Sequence, residues 1–153
     1  MIAKSLPDSW TLDVIAGPMN VRHEKLREMC RRLGADFHHA PTEIAKIFAR
    51  SSLAVTAGGS TCWELAALGV PMVIVIESDN QKVVGMTVTN AGAGVAVSSN
   101  EGEADAQIAC SVRDLTAEPR RLLAMSVAGR KLVDGLGPRR VIDEMLHQAR
   151  KIS

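Results

Sequence analysis

The sequence predicts an α/β domain of the Rossmann-like type, a mostly parallel sheet with helices on both faces. Three observations carry that expectation. Short apolar runs alternate with amphipathic stretches from Leu12 onward. One of those runs, MVIVI after Pro71, is continuously apolar, as a strand covered on both faces must be. The 46% hydrophobic content comes from Ala, Val, Leu, Ile and Met rather than from aromatics, which number two Trp and two Phe.

Each element follows from local chemistry. Leu12 to Ala16 is a β-leaning run ended by Gly17-Pro18. Leu26, Met29, Cys30 and Leu33 recur at helical spacing, with Gly34 at the stop. Ala35 to His39 forms a second strand, and Thr42 is placed to cap a helix carrying Ile44, Ile47 and Phe48 inward. LAVT at 53–56 runs into Ala57-Gly58-Gly59-Ser60, then a helix from Thr61 to Leu68 that stops at Gly69. After MVIVI, Asp79 or Asn80 caps a helix with Val84, Val88 and Ala91 on one side, and Gly94 to Ser98 is the last strand. Beyond the polar loop SSNEGEAD come helices carrying Ile108, Val112 and Leu115, then Leu122 and Met125. A closing helix starts near Pro138 and presents Val141, Ile142, Met145 and Ala149 as its inner face.

Charge and cysteine content exclude several classes. Eighteen basic against 17 acidic residues leave a net charge of +1, which argues against a general nucleic-acid or membrane-surface binder. Cys30, Cys62 and Cys110 are odd in number and widely spaced, so they form neither a disulfide framework nor a zinc site. The chain lacks a long apolar span and a signal-peptide core, and a cytoplasmic location with reduced thiols is expected. At 153 residues it is read as one domain.

In open parallel sheets ligands sit at the carboxyl ends of the strands, which directs attention to the loop after LAVT. Gly58 and Gly59 let backbone N–H groups approach an anion, the helix beyond points its positive end there, and Ser60 and Thr61 add hydroxyls. The same Gly-Gly also serves a plain tight turn. Neither GxGxxG nor GxxxxGK[ST] is present. Gly58-Gly59-Ser60-Thr61 approaches the nucleophile elbow GxSxG, with Cys62 in place of its last glycine, and Asp79 and His147 follow in triad order. A small esterase using Ser60 is thus one alternative. Glu64 has two readings, a capping box with Thr61 or a carboxylate for the hydroxyls of a ribose. Asn80 and Gln81, at the end of the next strand, carry amides able to read sugar hydroxyls. Cys62, at a helix start, is a candidate for a lowered pKa. His38 and His39 are adjacent on a strand and face opposite sides, so they cannot share a metal; no metal site is expected.

Together these residues bear a resemblance. AGGST from Ala57, CWELAALGVPMVIVI from Cys62, DNQ at 79–81, NAGAG at 90–94 and KLVDGLGPRRV from Lys131 resemble the carboxyl-terminal half of GT-B nucleotide-sugar enzymes. The likeness is closest to the nucleotide-sugar hydrolases of pseudaminic-acid biosynthesis and their spore-coat polysaccharide relatives (PseG and SpsG types), and more distant to the MurG type. It covers roughly residues 10 to 146. It implies a UDP or UDP-sugar ligand and no cofactor, with Gly58, Gly59, Ser60 and Thr61 on the diphosphate, Glu64 on the ribose, Asn80 and Gln81 on the sugar, and the uracil near residues 39–44. It implies also that the catalytic group lies in an amino-terminal half that nothing in these residues resembles. No catalytic residue is therefore assigned, and the isolated chain is expected to be inactive, a binding half or a stand-alone binding subunit.

The carboxyl half of such enzymes usually opens with a strand and helix, and MIAKSLPDSW resembles only the tail of that helix. In the order 3-2-1-4-5-6 the absent first strand is the central one. The sheet must then close the gap, borrow a strand from another copy in a homo-oligomer, or remain marginal; the expected protein partner is a missing amino-terminal catalytic half or a separate subunit.

Overall fold

The computed structural model describes residues 3, 6–99 and 104–152. Five strands and seven helices alternate through most of the chain: β1 (Asp13–Ala16), α1 (His23–Leu33), β2 (Asp36–His39), α2 (Ile44–Arg50), β3 (Ala54–Ala57), α3 (Thr61–Leu68), β4 (Met72–Ile76), α4 (Asp79–Asn90), β5 (Gly94–Ser98), α5 (Ala104–Thr116), α6 (Pro119–Leu132) and α7 (Gly137–Ile152). Every strand pairing is parallel, so the α/β expectation holds. Each strand hands over to a helix that packs back across the sheet.

β4 shows why its sequence is apolar without interruption. It lies between β3 and β5, with Thr56 opposite Ile74 and Ile74 opposite Ala96. Met72 and Ile74 enter one core with Phe48 of α2, Cys62, Leu65 and Ala66 of α3 and Val88 of α4. Val73 enters a second core with Val97, Ile108, Val112 and Leu115 on the opposite face. Alternate side chains thus leave by opposite faces, and both faces are dry. α6 seals the edge, with Ala128 and Leu132 against the first core and Met125 in the second.

The sheet is not continuous. β1 pairs only with β2, and β3, β4 and β5 form a separate three-stranded sheet. Among the described residues no strand lies between β1 and β3, where the missing central strand was expected. Asp13, at the amino end of β1, is held instead by side chains. Its Oδ1 lies 2.6 Å from His38 Nε2 and 2.5 Å from Arg50 Nη2.

Four local expectations are corrected. Of the stretch MIAKSLPDSW, compared with a helix tail, residues 7–10 form a turn closed by Trp10 N–H to Pro7 O at 2.9 Å, while residues 1, 2, 4 and 5 lie outside the described residues. Glu43, not Thr42, precedes α2, and Ser78, not Asp79 or Asn80, precedes α4, in both cases without a side-chain cap. Glu101 and Glu103 of the polar loop lie outside the described residues, whereas Asp105 stands in the first turn of α5. α7 forms, but its supposed inner face is open. Val141, Ile142 and Met145 are 59%, 56% and 66% exposed, because no described element faces their stripe.

The start of α7 is held by charge. Asp134 accepts from Arg140 with both carboxylate oxygens and from the Leu136 N–H at 3.0 Å. The Arg140 guanidinium, then the Leu136 N–H, hold the Asp134 carboxyl at about 2, below the ordinary 3.8. A depressed carboxylate contributes to folding above its ordinary value and loses that contribution as the pH falls through the folded one. Carboxyl-carbon NMR is expected to show Asp134 titrating near 2, with the helix start loosening between pH 3.8 and about 2. In Arg140→Ala the midpoint returns toward 3.8; an unmoved midpoint would refute this pairing.

Candidate functional site

The carboxyl ends of β3 and β4 meet at one place. β3 ends at Ala57, the chain turns through Gly58, Gly59 and Ser60, and α3 starts at Thr61. β4 ends at Ile76, and α4 begins two residues after Glu77. Gly58 is where the two turns touch. A Cβ placed on Gly58 would lie 2.8 Å from the Gln81 backbone oxygen and 3.0 Å from its Cβ, so only glycine admits this approach. Gly59 differs. It needs no left-handed backbone, and a Cβ there would meet nothing within 4 Å. Its missing side chain therefore answers no demand of the protein interior and leaves open space at the loop.

The N–H groups divide in the same way. Gly58 N–H donates to Val75 O at 3.2 Å and Gly59 N–H to Ala57 O at 2.8 Å, so both are already spent. The N–H groups of Ser60 and Thr61 have no acceptor among the described residues. These two orphan donors stand at the start of α3, where the helix dipole is positive. The structure thus gives the four residues different duties, with Gly58 and Gly59 making room and Ser60 and Thr61 offering donors.

Glu64 projects from the first turn of α3 and is exposed. No side-chain cap exists on that helix, so the capping-box reading of Thr61 and Glu64 is not realised. The Glu64 carboxylate has no hydrogen-bond or ion-pair partner among the described residues. On the neighbouring turn, Gln81 Oε1 accepts the Glu77 N–H at 2.9 Å, a role that sequence reasoning missed. That bond turns the Gln81 side chain back over the end of β4. Asn80 Oδ1 accepts the Ser78 hydroxyl at 2.6 Å. Asp79 stays outside this arrangement: the Lys82 ammonium, 2.7 Å away, draws its carboxyl below the usual range.

The remaining candidates fall elsewhere. Cys62 is fully buried beneath the loop, its thiol 3.4 Å from Ala57 O, and burial pushes its pKa up rather than down. Desolvation overrides the helix end, so a reactive thiolate is not found there. Ser60 has no imidazole beside it, and His147 lies on the exposed α7, so the triad that an esterase requires is not assembled. His38 is taken by Asp13, while His39 stacks on His23 with ring centroids 4.3 Å apart. The second pairing escapes periodicity arguments because it joins the end of β2 to the start of α1. Among the described residues no group of three His, Cys, Asp or Glu side chains could hold a metal, and no helix is long and apolar enough to cross a membrane.

The parallel α/β core with helices on both faces and an open loop at its strand ends matches the carboxyl-terminal domain of the GT-B type. The chain belongs to the family of the glycosyltransferase family 28 C-terminal domain, whose family model matches residues 22–135. Two solved glycosyltransferases are similar in fold. The glycotransferase of kitacinnamycin superposes with a TM-score of 0.57 at 16% identity, covering 91% of this chain and 43% of its own. The spinosyn forosaminyltransferase SpnP gives 0.51 at 15% identity, covering 93% and 46%. The chain spans less than half the length of either. No curated protein matches in sequence.

Proposed function

We propose that this chain is the donor-binding half of a GT-B glycosyltransferase or nucleotide-sugar hydrolase, with UDP or a UDP-sugar as its ligand. The observation that carries the proposal is the Gly59–Glu64 turn. Open space at Gly59, two orphan N–H groups at Ser60 and Thr61, and an unpaired Glu64 carboxylate lie on the loop and first turn of α3. The diphosphate sits on the loop and the end of α3, where backbone donors and the helix dipole favour negative charge without a basic surface. Glu64 accepts the ribose hydroxyls, and the amides of Asn80 and Gln81 face the sugar. Near the bond to be broken, the same donors stabilise charge building on the departing diphosphate.

The finer reading is a PseG- or SpsG-like enzyme of nonulosonate or cell-surface polysaccharide biosynthesis, acting in the cytoplasm with a catalytic amino-terminal half. It rests on the GGST-x-W-E and NQ motifs. By itself the chain binds ligand without turnover, as a separated half or a recruiting subunit would.

Calorimetric titration with UDP tests the site. Saturable binding is expected, weakened about tenfold or more in Glu64→Ala, close to 1.4 kcal/mol, and nearly kept in Ser60→Ala, which retains the backbone N–H. Absent binding, or binding indifferent to Glu64, would overturn the proposal. Hydrolysis of a UDP-sugar by the purified chain would overturn the claim that turnover needs another half.

A further inference from the structure

A net charge of +1 conceals a division along the chain. Eight of the 18 basic residues but three of the 17 acidic ones follow Glu118, so residues 119–153 carry a surplus of five positive charges. The residues before them carry a deficit of four. Ion pairing sharpens the contrast. Before Pro119 most cations are matched nearby, as Arg31 and Arg32 are by Glu28, Arg50 by Asp13 and Lys82 by Asp79. On α6 and α7, Arg120, Lys131, Arg150 and Lys151 are exposed and have no ion-pair partner among the described residues. Unmatched charge of one sign is a footprint for a partner of the other. The expectation drawn from net charge alone therefore does not extend to this face.

α7 adds an apolar stripe to that charge. Val141, Ile142, Met145 and Leu146 are each more than half exposed, and at about 3.6 residues per turn they share one side of the helix. Arg139 and Arg150 border that side, whereas Asp143 and Glu144 lie farther round. Residues 137–151 are exposed without interruption, so α7 stands clear of the domain along its length. On α6, Leu123 and Val127 are open to solvent as well. A helix with one apolar side and cations at its border lies in the plane of a bilayer surface. It does not span, since no described helix is long and apolar enough to cross.

We propose that α7, with the cations of α6, is a docking surface for an anionic lipid bilayer. The stripe sinks to the level of the headgroups, and Arg139, Arg150 and Lys151 reach lipid phosphate along their apolar stems. Charge selects this occupant over a second copy. Residues 137–152 carry four cations against two carboxylates, so two α7 helices laid together repel each other. A nucleic acid would satisfy the cations but leave the stripe in water. Asp134, bound by Arg140, ties the start of α7 to the linker after α6 and so presents the helix as a fixed element. This inference does not depend on which ligand the Gly58 turn holds.

Co-sedimentation of the full chain with lipid vesicles tests it. Neutral phosphatidylcholine vesicles are compared with the same vesicles carrying roughly one-third phosphatidylglycerol. The chain is expected to favour the anionic vesicles about tenfold or more, and to lose most of that preference at about 1 M salt. Ile142→Gln with Met145→Gln weakens binding about tenfold, and Arg150→Gln with Lys151→Gln severalfold. All four side chains are exposed and glutamine is a good helix former, so circular dichroism should show the fold unchanged. Analytical ultracentrifugation without lipid is expected to find a monomer. Four results would overturn the proposal. They are no partition into anionic vesicles, equal partition into neutral ones, binding unchanged when the stripe is made polar, and a dimer that dissociates in the Ile142 and Met145 variant. The third would mean a purely ionic contact, and the fourth that a second copy covers the stripe. None of these outcomes bears on UDP binding, so the two proposals fail separately.

Discussion

Replacing Leu65 by alanine is expected to cost about 2–5 kcal/mol, a large share of the roughly 5–15 kcal/mol that holds a typical domain. Leu65 is 1% exposed, in the middle of α3, and packs in the core shared by α2, β4 and α4. It also lines the cleft between β1 and β3, so the void left by its side chain adjoins existing open volume. Neighbours bordering a gap cannot collapse as neighbours in a closed core do, which places the cost toward the upper end of the range. Urea denaturation followed by circular dichroism measures it. A loss below about 1 kcal/mol would mean that α3 is not anchored as described.

The second large effect separates two adjacent glycines. Gly58→Val is expected to destabilise by about 1–3 kcal/mol, because a side chain there must push the first turn of α4 from the end of β3. Gly59→Ala is expected to leave stability unchanged, or raise it by about 0.4–1 kcal/mol, because the backbone needs no left-handed angle and the new methyl meets nothing. In UDP titration the order reverses in meaning: Gly59→Ala weakens binding in a fully folded protein, since the methyl occupies the space left for the ligand. A Gly59→Ala protein that binds UDP as well as the parent would remove the loop from the site. A Gly58→Val protein as stable as the parent would contradict the contact with Gln81.

Much of the architecture is legible without coordinates. MVIVI declares a strand buried on both faces, α3 begins and ends at the predicted residues, and β5 spans Gly94–Ser98 as read. These are local or periodic signals, decided by side-chain spacing within a few residues. The helix starts are less legible. Ser78 rather than Asn80 precedes α4, since the turn is set by Gln81 reaching back to Glu77 and by its contact with Gly58 across the β3–β4 junction.

What the sequence alone determined is the parallel α/β class and the placement of a glycine turn at a strand end. Each depends on residue types and their intervals. Only the tertiary structure decided what those residues face. Cys62 stands at a helix start, which favours a thiolate, but burial in the core raises its pKa instead. Gly58 and Gly59 are identical in sequence, yet one is packed against Gln81 and the other is open. Val141, Ile142 and Met145 carry the periodicity of a buried stripe on a helix that nothing described covers. Periodicity records that a face is apolar. Whether that face is covered depends on a neighbour distant in sequence.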